Sequence, residues 1–330
     1  MRDVADRAGV AISSVSRVLS SHPDVSQGMR NRVLAAVDAL GYNRDILAQA
    51  LRRGKTLSVG FIVGDISNPL FATIVKAAEE RLRAEGYTML LTNSDGDPGL
   101  DVAHLRLFDQ HRVDGVILSL AEEGHEPTVR LLESIQTPLV VLDRDLSPTV
   151  KASRVLSDHQ MGMRPAVDHL LELGHRNIGV VLAQPGRPTN ERLAAVERAF
   201  AARGLAPSYQ SVEGRYSVQQ GNEMMRALLD GASPPTAVIV AGNQLLVGAL
   251  EVVKEKGIVL GRDVSLVSCD EVALTELFDP PIAVVRRDVA EIGRVAADVL
   301  LAKLRGEEAP DEVMLPTEFV ARPSCGPPSP

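Results

Sequence analysis

The sequence predicts an α/β protein: an N-terminal unit of three helices with a short hinge helix, then a two-lobed core of parallel sheets flanked by helices. Three observations carry this. Val4 to Leu19, VADRAGVAISSVSRVL, reads as two short helices meeting at a tight turn. From Leu57 the pattern changes to short apolar runs alternating with amphipathic helices: LSVGFIV, YTMLLT, GVILSL and PLVVLD, then NIGVVLA, TAVIVA and VSLVSC. Repeated βα units of this kind build a parallel, doubly wound sheet. The repeats stop near Ala152 to Asp158, where SDHQMGM starts a new helix, so the core divides into two similar lobes.

In the opening unit Val4, Ala8, Val10, Val15 and Val18 supply one apolar face, Ala5 is small where helices cross, and Gly9 allows the turn. That is helix-turn-helix spacing. The other face of the second helix carries Ile12, Ser13, Ser14, Ser16 and Arg17, short hydrogen-bonding groups plus one long cation, which suit a helix lying in a DNA major groove. A plain packing bundle with a glycine turn would show the same pattern, so the continuation of the chain matters. Ser26 is placed to cap a third helix, Gln27 to Leu40, whose Val33, Leu34, Val37 and Leu40 recur at helical spacing to close the small core, with Arg30 and Arg32 on its other sides. Beyond Gly41-Tyr42, Asp45 can cap a helix Ile46 to Arg53, too short to be stable alone in water. Arg52, Arg53 and Lys55 beside Leu51 argue for phosphate rather than a core.

In open α/β sheets ligands sit beyond the carboxyl ends of the strands. The residues following the apolar runs are Asp65, Asn93, Ser119, Asp143 with Arg144, Gln184, Asn243 with Gln244, and Asp270. Carboxylates and amides facing an arginine are equipment for gripping a polyol. Strand ends are polar in every such fold, so the set carries more weight than any single member.

The segments VSxxxRxRVxxAxxxLGY at Val25 to Tyr42 and AQALRRGKT at Ala48 to Thr56 complete a pattern that resembles the lactose-repressor family of bacterial transcription regulators, whose DNA-reading segment is close to DVAxxAGVSxxTVSRVLN. The resemblance runs over nearly the whole chain. It implies that Ser26, Arg30, Tyr42 and Ala48 join the second helix in touching DNA, and that the hinge becomes helical on DNA, two copies pairing over the minor groove with Leu51 wedged into a base step. It also implies a periplasmic-binding-protein-like core, with the chain passing between lobes near Leu156, Arg287 and Pro316. The expected organisation is a DNA-binding domain at 1–44, hinge and linker at 45–56, a core at 57–325 (one lobe 57–156 and 288–315, the other 157–287 and 316–325) and a disordered tail at 326–330.

The same resemblance selects cleft residues. Asp65 to Phe71 is similar to the family's DISNPFF, which gives Asn68 and Phe71 to an effector pocket; Asp143-Arg144 stands where the family has DR, Arg192 where it has the arginine of RERLxGF, and Asp270 where it has the first Asp of GFDD. Asn243 lies in Ala241-Gly242-Asn243, in place of AND, and Ser268-Cys269-Asp270-Glu271 replaces GFDD, so the pocket is altered between its charged anchors. Ala11 stands where the family caps the recognition helix with Ser, at a cost of about 1 kcal/mol.

Composition bounds the rest. The net charge is −8, yet residues 1–55 hold nine basic against five acidic side chains and the remainder holds 26 against 38. The basic end is the DNA end, and the acidic remainder repels phosphate. No run of about 18 apolar residues suggests a membrane span, Met1-Arg2-Asp3 leads straight into a helix without a secretory signal, and the two cysteines lack metal-ligand spacing, so a cytoplasmic protein without metal or cofactor is expected. No GxSxG, HExxH or GxGxxG after a strand argues for an enzyme. The expected partners are near-palindromic operator DNA, a carbohydrate-type effector and a second copy of the chain, and the expected activity is transcriptional control, more often repression. The alternative is a sugar-binding sensor or carrier without DNA function, which would need a signal peptide and would not need residues 1–55.

Overall fold

The computed structural model describes residues 1–19, 22–41 and 55–329, and the contacts divide the chain into Met1–Thr56 and Leu57–Pro330. The first unit contains α1 (Arg2–Ala8), α2 (Ile12–Leu19) and α3 (Gln27–Ala39). Gly9 ends α1 in the left-handed region at φ 63°, where a side chain would clash with its own backbone, and its N–H closes the helix onto Asp6 O. Val4, Ala5, Ala8, Val15, Val18, Val33 and Ala36 form the buried core. The spacing places Leu34 and Leu40 in that core, but both are at least 40% exposed, and the smaller Ala36 fills the crossing instead. Ser26 caps α3 by accepting from Met29 N–H. The hinge helix expected at Ile46 to Arg53, and with it Tyr42, Ala48 and Leu51, falls outside the described residues.

The second unit holds two six-stranded sheets. Strands β1 (Ser58–Val63), β2 (Thr88–Asn93), β3 (Gly115–Leu118), β4 (Leu139–Leu142), β5 (Ser153–Ser157) and β11 (Glu312–Leu315) form the first, ordered β11-β5-β4-β3-β1-β2 and parallel throughout. Helices α4 (Pro69–Ala84), α5 (Pro98–Gln110), α6 (Glu126–Ser134) and α12 (Val289–Arg305) cover its faces. Strands β6 (Ile178–Ala183), β7 (Tyr209–Gly214), β8 (Ala237–Val240), β9 (Ser265–Cys269), β10 (Ala283–Arg287) and β12 (Thr317–Val320) form the second, ordered β12-β10-β9-β8-β6-β7. It carries α7 (His159–Glu172), α8 (Arg187–Ala202), α9 (Val218–Leu229), α10 (Asn243–Glu255) and the short α11 (Ala273–Leu277). The central strands are apolar and buried over their whole length, as expected when helices cover both faces.

The chain passes between sheets three times: from β5 into α7, from β10 into α12, and from β11 into β12. The segment around Pro316 splits into two strands in different sheets, because Pro316 between them donates no ladder hydrogen bond. Strand β12 enters the second lobe beside the point where β10 leaves it, Thr317 opposite Arg287, so this pair alone is antiparallel. The tail expected to be disordered is bound as far as Ser329: Gly326 O meets His175 Nε2 at 2.9 Å, Gly326 N–H donates to Ser265 Oγ at 3.0 Å, and Ser329 Oγ donates to Arg262 O at 2.7 Å. Its backbone groups find fixed partners, which the Pro-rich composition alone does not reveal.

Candidate functional site

On α2, Val15 and Val18 face the core, leaving Ile12, Ser13 and Arg17 exposed and Ser14 and Ser16 half-buried beside them. An apolar Ile12, 47% exposed on a helix only eight residues long, is the kind of contact a thymine methyl offers a partner for. Ser26 is exposed at the start of α3, and Arg30 reaches back to His22 O at 3.4 Å, bracing the turn between α2 and α3.

In the second unit the strand-end residues of both sheets meet. Asp143, after β4, and Asp270, after β9, both adopt left-handed backbone, φ 51° and 72°. Aspartate tolerates this conformation better than most residues, and such geometry persists where surrounding contacts over-determine it. Here the contacts come from Arg287 at the end of β10, whose Nε donates to Asp270 Oδ1 at 2.8 Å while Nη1 donates to Asp143 Oδ2. Asp143 Oδ1 accepts from Ser157 N–H at 2.7 Å, and His159 Nε2 lies 3.3 Å from Oδ2, the oxygen that Arg287 also meets. Burial alone would raise the Asp143 carboxyl; the charges of His159 and Arg287 and the Ser157 N–H override it and hold it well below the usual carboxylate range. Burial lowers His159, outweighing the nearby Asp143.

Arg192 projects from α8 into the same region and is only 4% exposed. Its Nη1 donates to Ala241 O at 3.2 Å, and its Nη2 lies 3.5 Å from His159 Nδ1. Asn243, 6% exposed at the start of α10, donates through Nδ2 to Asn68 Oδ1 at 3.1 Å, and its own Oδ1 is buried without a partner. Next to it Gln244 donates to Asp65 across the same gap. On the other side Arg187 N–H, in the first turn of α8, donates to Glu123 Oε1 at 2.8 Å, so a carboxylate of the first lobe sits at the positive end of a second-lobe helix. The lobes are thus tied at both lips and at the hinge. A groove of about 580 Å³ lined by Asp158, Arg164, Arg187 and Met314 runs over the hinge; Arg192 and Asn243 lie apart from it, in the gap the lips close.

The residues selected from sequence divide accordingly. Asn68, Asp143, Arg192, Asn243 and Asp270 converge on the gap between the lobes. Phe71 packs partly into the first-lobe core. Arg144 turns to backbone, donating to Leu120 O at 2.9 Å and Asp143 O at 3.0 Å, so the structure braces it against its own lobe rather than toward Asp270. Asn93 accepts from Ile66 N–H at 2.8 Å and shapes the loop before α4. Gln184 is half-buried with an unpartnered Oε1. Sequence reasoning missed Arg287, His159, Glu123 and Tyr216, whose ring lies so close to Gly242 that a Cβ there would come within 2.6 Å of it. Arg287 and His159 open or close a crossover segment, where polar residues look like ordinary loop.

A DNA-reading helix unit joined to a two-lobed α/β core with a polar gap between strand ends defines a ligand-responsive DNA-binding protein class. Residues 1–45 match the lacI family of bacterial regulatory proteins, and residues 167–325 match the periplasmic binding protein-like domain. The transcriptional regulator DegA of Bacillus subtilis (strain 168) is 31% identical over 332 residues, covering 98% of this chain and 97% of its own. The transcriptional repressor PurR of Haemophilus influenzae (strain PittEE) is 30% identical over 309 residues, covering 92% and 90%. Among solved structures, the Lac repressor dimer bound to operator and the anti-inducer ONPF superposes with a TM-score of 0.85 at 26% identity, over 98% of this chain and 97% of that one. The regulator CelR in complex with cellobiose gives 0.73 at 28% identity, over 98% of each chain. The chain belongs to the lacI family of bacterial regulatory proteins.

Proposed function

We propose that the protein is a dimeric transcriptional regulator, a repressor in the first instance, whose operator affinity is set by a small carbohydrate-type effector held between the core lobes. The observation that carries this reading is the presence in one chain of α2, with its exposed hydrogen-bonding face, and of a gap where Arg192, Asn243 and Asp270 of one lobe meet Asn68 and Asp143 of the other. The operator contacts are Ile12, Ser13, Ser14, Ser16, Arg17, Ser26 and Arg30, joined by Tyr42, Ala48 and Leu51 of the hinge segment. Relatives support the partners: one solved repressor dimer carries operator, and another regulator carries cellobiose. Exposed Leu90 and Leu91 on edge strand β2 and Leu277 on α11, 83% exposed, are apolar surface that a second copy would cover. No helix among the described residues is long and apolar enough to cross a membrane.

A dimer with a twofold axis presents two recognition helices, so the operator should be a near-palindrome. Selection of bound fragments from random DNA, followed by anisotropy titration of the recovered site, tests this. Recovery of only asymmetric sites would reject the dimer reading, and no enrichment at all would reject DNA recognition.

A further inference from the structure

A single residue of the second lobe touches three separate segments of the first. Arg187 opens α8. Its N–H donates to Glu123 Oε1, after β3, at 2.8 Å; its Nη1 donates to Asp145 Oδ1, after β4, at 3.3 Å; and its Nη2 lies 3.9 Å from Met314 Sδ on β11. The same Nη2 pairs with Glu191 Oε1, one turn further along α8, at 2.5 Å. Solvated surface ion pairs contribute little, but the Arg187 side chain is only 11% exposed and that of Glu191 18%, so the grip is largely shielded from water. Glu123 Oε1 also accepts from Asp145 N–H at 3.2 Å, which joins the two first-lobe loops to each other. Gly186 gives α8 no side-chain cap, so the acceptor at the start of this helix comes from the opposite lobe.

Charge adds to what the contacts do. Glu123 and Asp145 on one side of the lip face Glu191 on the other, and Arg187 is the cation set between them. Asp145 and Glu191 both meet this guanidinium, which puts their carboxylates within about 10 Å of each other, the range over which charges act at 0.1 M salt. Arg154 reaches Asp145 only at 3.8 Å and is drawn to Glu312 at 2.7 Å. Without the Arg187 guanidinium the two sides of the lip would repel. We infer that Arg187 is a clasp, a positioning residue that holds the lobes in this placement and, because α8 also carries Arg192, fixes where that buried arginine stands relative to the first lobe. The inference concerns lobe placement and stands apart from the identity of effector or operator.

Hydrogen exchange followed by mass spectrometry on the full-length protein tests the clasp in three regions: the first turn of α8 at 187–191, the opposite lip at 64–70 and 241–246, and β6 as a buried reference. Arg187→Met and Glu123→Ala should each speed exchange in the first turn of α8 and, by roughly fivefold or more, at the opposite lip, with β6 unchanged. The opposite lip is closed by Asn68 with Asn243 and Asp65 with Gln244, so it answers only to movement of the lobes. Arg187→Lys, which keeps the charge but not the planar fork, should have a smaller effect. Glu191→Gln added to Arg187→Met should bring the opposite lip part of the way back, because it removes the charge that Glu123 and Asp145 repel. Acceleration confined to α8, an opposite lip unaltered in both single variants, or no recovery with Glu191→Gln overturns the inference. Should Arg187→Met or Glu123→Ala also speed β6, the milder Arg187→Lys and Glu123→Gln decide by the same comparison: an opposite lip that loosens relative to β6 upholds the clasp, and one that does not overturns it. Operator affinity of the same variants separates the clasp from the regulatory reading. A loosened lip with unchanged operator affinity upholds the clasp and counts against control through lobe placement, whereas changed affinity with an unaltered lip does the reverse.

Discussion

Arg287 joins the two lobes through charge: it arrives on β10, a second-lobe strand, and pairs with Asp143 of the first lobe and Asp270 of its own. Pairs this buried are strongly sensitive to loss of one member, because the remaining charge stays desolvated. Arg287→Met should therefore destabilise the core by about 3–5 kcal/mol in urea unfolding. Adding Asp143→Asn removes one of the stranded charges and should recover part of the loss, a non-additive result expected of direct contacts. Strict additivity would show that the pair does not couple the lobes. His159, which meets the same Asp143 oxygen as Arg287, makes the site pH-dependent. Burial holds its folded pKa below the ordinary 6.5, as it does for His175. The unfolded chain thus binds protons first on acidification, so the stabilisation is intact above 6.5 and is lost as the pH falls through that value. The melting temperature should drop between about pH 7.5 and pH 5.5, and His159→Gln should flatten part of the slope. An identical slope in His159→Gln would assign the dependence elsewhere. Glu191, raised by burial, works in the opposite direction, but lower, in the carboxylate range.

At the scale of elements, the second lobe depends on two helices that cross with almost no side chain between them. A Cβ added to Gly248 on α10 would come within 1.9 Å of Val218 O, and one added to Gly221 on α9 within 2.2 Å of Leu245 O. Both atoms are backbone and cannot turn aside. Gly248→Val should force the helices apart at a cost of about 1–3 kcal/mol or more, measured by denaturant unfolding, whereas Gly28→Ala on α3, with open space around it, should be neutral or stabilising. Equal effects of the two substitutions would show that close approach is not what Gly248 provides. Such a crossing is invisible in sequence, where a glycine within a helical pattern looks only like a weak helix former. The same limit explains which strands were legible. Runs of buried residues such as IGVVLA and AVIV announce β6 and β8, because helices cover both faces. SRVLS and YQSVEG mix polar with apolar residues, since β5 lies next to one edge and β7 forms one, so both strands escaped notice, as did β10, AVVRR, which ends in two charged residues. The site divides in the same way. Asp143, Arg192, Asn243 and Asp270 could be found because they follow apolar runs or stand in a family motif. Arg287 and His159 could not, because their importance lies in contacts between separate segments, Arg287 with Asp143, 144 residues away, and His159 with Arg192, 33 residues away.

For the whole molecule, the arrangement turns ligand binding into a change of DNA affinity only if the effector favours one relative placement of the lobes over another. The structure shows the lobes tied at three separated points: Arg287 at the hinge, Asn68 with Asn243 at one lip, and Glu123 with Arg187 N–H at the other. Two of these points are built from residues proposed to meet the effector or from neighbours of such residues, so a ligand entering the gap competes with or reinforces the ties. The thermodynamic consequence is reciprocal. An effector that changes operator affinity tenfold does so through a coupling of about 1.4 kcal/mol, and operator must change effector affinity by the same factor. Arg192→Ala and Asp270→Ala should abolish the response to effector while leaving operator affinity intact, because both residues lie in the second unit, apart from Met1–Thr56. Asn243→Ala should instead leave effector binding measurable and shift the coupling, because it loosens one lip without removing the charged anchor. Effector isotherms with and without operator, run on wild type and the three variants, distinguish these outcomes. An unchanged tenfold coupling in Arg192→Ala and Asp270→Ala would place the regulatory site outside the gap, and equal coupling in Asn243→Ala and wild type would mean that the lips close without influence on the DNA-binding state.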